Sequence, residues 1–184
     1  MNKITVIGAG LAGCEAAYTA ARLGCKVDLI EMKPIKKSPA HKTDNFAELV
    51  CSNSLKASRI DSAAGLLKQE MRMLGSICLE AADVSAVPAG GALAVERNLF
   101  AEYITKKIRE SENINIITDV VDKLPTEGIC IVATGPLTDG ALAREIEKIT
   151  GEGNLSFYDA AAPIVSADSI DFSSAFVASR YDRD

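Results

Sequence analysis

Two places in this 184-residue sequence carry residues whose type and spacing can do chemistry. The first is the glycine run Gly8, Gly10 and Gly13 in "VIGAGLAGCEAA". It follows a β-branched apolar run and opens an alanine-rich stretch, which is the context that gives G-x-G-x-x-G its meaning as a dinucleotide turn. Gly8 permits the tight turn, Gly10 lets the backbone approach a pyrophosphate, and Gly13 allows close helix–strand packing. Ala9, Leu11 and Ala12 lie between them, so the whole turn presents backbone N–H groups at a helix N-terminus, where phosphate is favoured. Glu31 ends the next apolar run, where a carboxylate takes the ribose hydroxyls and disfavours a 2′-phosphate. A glycine-rich turn without a ligand is the plainer alternative. The complete strand–turn–helix–strand–Glu order weighs against it.

The second place is "AELVCSNSLKA", where Cys51 opens onto Ser52, Asn53 and Ser54. Inert cysteines normally sit among aliphatic neighbours, as Cys130 does in "GICIVA". A thiol at the mouth of a polar loop is suited to act as a thiolate. Composition alone favours a loop cysteine with no chemistry. The cysteines at 14, 25, 51, 78 and 130 are odd in number and at least eleven positions apart, which argues against a disulfide framework and against paired metal ligands. The single histidine, His41, supplies no cluster and reads as an ordinary loop residue. Cys14 and Cys25 flank the first helix, and Cys78 reads as core.

The elements that must position these residues alternate in type. Residues 3–7, "KITVI", read as a buried strand, the stretch to Gly24 as a helix stopped by that glycine, and "KVDLIE" as the next strand, together a right-handed βαβ unit. "PIKKSPAHKTDNF" is polar, holds two prolines and reads as loop. A helix is expected over 62–73, with Leu66, Leu67, Met71 and Leu74 at helical spacing. "AVPAGGALAVER" reads as a glycine-broken strand and turn, followed by a helix from Asn98 to about Glu110. "NINIITDVV" and "GICIVATG" read as strands, and "PLTDGALAREIEKITG" as a turn and helix. The alternation predicts an α/β, Rossmann-like fold with a mostly parallel sheet, incomplete at its C-terminal side. A dinucleotide-binding domain is expected over 1–155, and the start of a second, truncated domain over 156–184.

The net charge is −5, yet residues 33–72 hold eight Lys/Arg against four Asp/Glu, a local +4, which leaves −9 elsewhere. An acidic body argues against generic nucleic-acid binding, while the basic segment permits a specific anionic partner. No signal peptide or apolar run of spanning length is visible, so a soluble, cytoplasmic protein with no membrane association is expected.

Two features favour FAD over NAD at the glycine turn. "VATG", with Thr134 and Gly135, resembles the second short motif of flavoproteins with two dinucleotide folds, where a strand ends beside the cofactor. Arg97, in "GGALAVERNLF", sits where such flavoproteins place an arginine near the flavin; a surface arginine paired with a neighbouring glutamate is the alternative. "GAGLAGCEAA" further resembles the tRNA-uridine-modifying flavoproteins. "EMKP", "AELVCSNSLK", "PAGGALAVER" and "YDAAAPIV" are similar to one branch of them, the folate- and FAD-dependent tRNA (uracil-5-)-methyltransferases of bacteria. The resemblance runs over essentially the whole chain, and "LVCSNS" is its most specific element. Members of that branch are longer, so the resemblance implies an N-terminal fragment. It further implies methylenetetrahydrofolate as one-carbon donor, NAD(P)H as reductant of FAD, and 5-methyluridine in the T loop of tRNA as product. Cys51 would be one of two catalytic cysteines, as nucleophile or as acid/base, with the other beyond Asp184. Three alternatives stay open: the sister flavoprotein that modifies the wobble uridine, a small-molecule oxidoreductase, and a non-catalytic dinucleotide-binding module.

Overall fold

A computed structural model describes residues 3–151 and 167–175. Its main sheet contains β1 (Lys3–Ile7), β2 (Lys26–Glu31), β6 (Ile114–Thr118) and β7 (Ile129–Val132), in the order β6-β2-β1-β7. All three pairings are parallel: Lys3↔Lys26 to Ile7↔Ile30, Val27↔Ile114 to Glu31↔Thr118, and Ile4↔Ile129 to Ile7↔Val132. The chain leaves β1 toward β2 on one side and later returns as β7 on the other. That reversal of order opens a crevice at the carboxyl ends of the strands, where ligands of such sheets bind.

α1 (Leu11–Arg22) joins β1 to β2 and buries Gly13, Cys14, Ala17, Ala20 and Ala21. These small residues recur at helical spacing, so the helix can lie close to the sheet. α4 (Arg97–Arg109) buries Phe100, Ala101, Ile104, Thr105 and Ile108. With α3 (Ile77–Val84) it supplies the larger core side chains, and Val6, Leu29, Ile77, Phe100 and Ile104 are completely buried. α5 (Gly140–Thr150) follows β7 and ends in the left-handed residue Gly151. The expected helix starts are off by one residue: α2 (Ala63–Met73) begins after Ser62, whose side chain accepts from Gly65 N, and α4 begins after Glu96.

A second, antiparallel sheet has the order β3-β5-β4, from β3 (Ser54–Ala57), β4 (Ala86–Val87) and β5 (Ala92–Val95). β3 and α3 have no counterpart in the sequence reading. β3 is only four residues long, with Lys56 at φ +66 and a register break between its pairs Ser54↔Ala94 and Ala57↔Ala92, so its alternation is too brief to mark a strand. α3 buries five of its eight residues and so lacks the polar face that marks a surface helix. Of the expected second domain, only a 3-10 turn at Ala167–Ser169 and the residues to 175 are described; the rest of it, "YDAAAPIV" included, lies outside the described residues.

The polar loop after β2 is tied down at several points. Ala47 N donates to Ala9 O at 2.8 Å and Phe46 N to Thr105 Oγ1 at 2.9 Å. Buried Lys33 donates to Asn45 O and lies 3.7 Å from the Glu48 carboxylate, which also accepts from Lys42 N and Thr43 N. Burial alone would raise the pKa of Glu48, but those two N–H donors and the Lys33 ammonium hold it below the ordinary glutamate value. α2, by contrast, buries only Gly65 and Lys68, while Leu66, Leu67 and Leu74 stand 48%, 57% and 79% exposed. A cavity of about 560 Å³ separates α2 from α1, lined by Leu11, Leu55, Leu67, Met71, Leu79 and Phe100 among others.

Candidate functional site

The glycine turn is an interlock of backbone against backbone. Gly8 has φ +95, and a Cβ there would meet Ala133 O at 2.7 Å. A Cβ on Gly13 would fall 1.8 Å from Gly8 O. Both positions are therefore closed to larger residues for reasons internal to the fold. Gly10 differs. Its φ of −74 is open to any residue, and its nearest neighbour to an added Cβ is Ala133 O at 4.0 Å. Gly10 caps α1 without any side-chain hydrogen bond, so the first N–H groups of the helix point outward without a protein side chain on them. Leu11 and Ala12 are exposed beside it. Open space above a helix N-terminus fits the pyrophosphate of a dinucleotide.

Glu31 stands where the sequence placed it, and does one thing the sequence did not indicate. Its carboxylate is buried and accepts from Ala9 N at 2.7 Å and from Lys33 N at 3.0 Å. It thus ties the end of β2 to the turn after β1, with one backbone donor on each oxygen. Each oxygen retains a further lone pair, which suits the hydroxyls of a ribose. On the opposite side of β1, Thr134 and Gly135 follow β7, and the Ala133–Thr134 backbone packs against Gly8. Thr134 Oγ1 lies 2.6 Å from Thr138 Oγ1, which donates to Gly135 O at 2.7 Å. The turn, Glu31 and the residues after β7 are therefore one assembly at the strand ends.

Cys51 is exposed, as its polar neighbours suggested. Arg97, first residue of α4, reaches it: Nη2 donates to Cys51 O at 3.2 Å. Arg97 is exposed, as the surface alternative has it, but the glutamate partner of that alternative is not seen among the described residues: the neighbouring Glu96 carboxylate accepts from Asn98 N and Leu99 N and caps α4. Cys51 and Arg97 thus form a pair of their own, linked to the glycine turn through the 46–50 segment and the Ala47–Ala9 bond.

The other thiols differ in kind. Cys14 is buried and donates to Ala9 O; burial, reinforced by the Glu31 charge, pushes its pKa up to about 12. Burial and the Glu15 carboxylate push Cys78 up as well. Cys130 is only half-buried in the outer strand β7, with its pKa raised by that burial. His41 pairs with Ser38 Oγ at 2.8 Å and is held below its ordinary pKa by burial and by the Lys33 charge. Glu15, absent from the sequence reading, accepts from Ser76 Oγ and Cys78 N and so fastens α1 to the start of α3. Asn53 was missed as well; it bonds to Val95, 42 residues on, a separation at which no local pattern could reveal it.

Comparison with known proteins adds relatives to this geometry. The family model described as glucose inhibited division protein A matches residues 3–184. Over 183 residues the chain is 58% identical to the methylenetetrahydrofolate-tRNA-(uracil-5-)-methyltransferase TrmFO of Acetivibrio thermocellus, covering 100% of this chain and 42% of that protein. The TrmFO of Listeria innocua is 56% identical over 182 residues, 99% of this chain and 42% of the relative. The chain therefore spans less than half the length of these curated relatives. Among solved structures, Aquifex aeolicus GidA superposes with a TM-score of 0.54 at 22% identity, over 68% of this chain and 21% of the other, a likeness of fold.

Proposed function

The chain belongs to the glucose inhibited division protein A family, and from that membership we propose that it is the dinucleotide-binding, Cys51-bearing part of a folate- and FAD-dependent tRNA (uracil-5-)-methyltransferase. The observation that carries the reading is an exposed Cys51 in "LVCSNS", in a chain 58% identical over its full length to a TrmFO. The glycine turn and the α1 N-terminus would hold the pyrophosphate of FAD, and Glu31 the adenosine ribose. Thr134 and Gly135 would line the same crevice, and Arg97 would lie on its flavin side. FAD, recharged by NAD(P)H, supplies the electrons that reduce the transferred one-carbon unit to a methyl group. Methylenetetrahydrofolate is the donor of that unit and tRNA its acceptor. Residues 33–72, with their local charge of +4, offer the anionic RNA a basic segment within an otherwise acidic chain.

Uracil C5 is a poor nucleophile. Addition of a thiolate at C6 moves the ring electrons toward C5 and the adjoining C4 carbonyl, so that C5 can attack an electrophilic methylene; later loss of the C5 proton expels the thiolate. Cys51 is the accessible thiol for that addition, or for the proton transfer that accompanies it. The place of action is the cytoplasm, where tRNA is modified, and no helix among the described residues is long and apolar enough to cross a membrane.

Replacing Cys51 by Ala in the full-length enzyme tests the reading. FAD binding should persist while 5-methyluridine formation in unmodified tRNA falls by orders of magnitude. Normal methylation by that variant would remove Cys51 from the mechanism.

A further inference from the structure

We infer that Arg97, with Asn53, is a positioning residue for Cys51: the β5–α4 junction holds the backbone at the thiol and just after it and sets an unneutralised cation beside it. The inference rests on the reading of Cys51 as the reacting thiol. Asn53 and Val95 exchange two bonds, Asn53 Nδ2 to Val95 O at 3.1 Å and Val95 N to Asn53 O at 3.0 Å. Val95 is completely buried, so the staple is anchored in the core. One residue further, Ser54 pairs with Ala94 at the start of β3, and Ser54 N donates to Ser52 Oγ at 3.0 Å. Before these bonds stands Cys51 itself, with its carbonyl on Arg97 Nη2 at 3.2 Å. The thiol is thus exposed on a backbone that is fixed.

Charge gives Arg97 its second part. The neighbouring carboxylate, Glu96, is taken up by the cap of α4. Among the described residues no ion pair joins Arg97 to any Asp or Glu. Of the five N–H donors of its guanidinium, one holds Cys51 O, which leaves the others for an incoming anion. An RNA substrate brings anionic groups to this loop, and Arg97 is the cation joined directly to the Cys51 backbone. A lysine in its place would keep the charge without the planar fork.

Two alkylating reagents of nearly equal size separate positioning from plain structural support. Iodoacetate is an anion and iodoacetamide is neutral, so the ratio of their rates at Cys51 reports the local field, whereas the fraction of thiolate affects both alike. Rates are read on the 184-residue chain by peptide mass spectrometry, with circular dichroism confirming that each variant is folded. Arg97→Met should lower the iodoacetate-to-iodoacetamide ratio by about threefold at low salt, as loss of one unit charge a few ångström away in a watery site requires. High salt should bring the unchanged protein toward the ratio of that variant. Arg97→Lys should retain most of the ratio. Asn53→Ala should change both rates together and leave the ratio within about twofold, since it frees the loop without removing the cation. An unchanged ratio in Arg97→Met, or an equal loss in Arg97→Lys, overturns the inference. Neither result bears on whether Cys51 is catalytic, which the alanine variant in the full-length enzyme decides separately.

Discussion

At the scale of single residues, the three glycines of the turn are not equivalent, and their differences are measurable. Gly13→Ala places a methyl group 1.8 Å from Gly8 O, a clash inside the fold that does not depend on any ligand. Overpacking of that kind costs about 1–3 kcal/mol or more, so a lowered melting temperature is expected with or without FAD. At Gly10 an added Cβ meets nothing closer than Ala133 O at 4.0 Å, and the backbone angles suit valine. The cost of Gly10→Val to the helix start is about 1 kcal/mol or less. A side chain there would occupy the space of a phosphate. In the full-length protein, flavin titration should show FAD affinity falling at least about tenfold while the fold persists. Undiminished affinity would remove the pyrophosphate from the turn. The tight turn at Gly8 and the close packing at Gly13 were legible because the motif states backbone geometry directly. Glu31 was legible in position, whereas its bond to Ala9 N depends on two strand ends lying side by side, which spacing alone does not express.

Elements show a similar division. β1, β2, β6 and β7 are short β-branched runs bounded by turn residues, and their own sequences announce them. β3 exists because β5, some forty residues on, pairs with it; α3 has a local cap in Ser76, but the core that buries most of it comes from elements distant in sequence. The segment between β2 and Cys51 is a loop, as its composition indicated, and Lys33 and Glu48 fasten it by bonds the composition did not show. This has a consequence in acid. Glu48 is held below its ordinary value of 4.5 in the folded chain. Its contribution to stability is therefore complete above that value and is lost as pH falls through the lower, folded one. Glu48→Gln should remove about 1–2 kcal/mol at neutral pH and flatten the acid limb of the stability profile, followed by denaturant titration at several pH values. An acid limb as steep in the variant as in the original chain would place the linkage elsewhere.

Over the whole molecule, cohesion is uneven. α1, α3, α4 and the central strands share the completely buried side chains, whereas α2 rests on β3 and α3 and turns its leucines outward beside the cavity. Hydrogen exchange followed by mass spectrometry should find the α2 amides exchanging at least about tenfold faster than those of α1, in line with its shallow burial. Equal protection of the two helices would mean that α2 is held by contacts other than those seen here. The central sheet imposes an order on the molecule's formation as well. The glycine turn is spelled by the first thirteen residues, but the wall against which Gly8 closes is Ala133, carried in by β7 beside β1. During synthesis, the amino-terminal motif leaves the ribosome long before its other half exists. Until β7 emerges, β1 has an open edge on that side and the turn has no back, so the nascent chain must wait, exposed, for a parallel pairing that closes a loop of more than a hundred residues. A glycine turn that looks local in the sequence is thus among the last features of this segment to be completed.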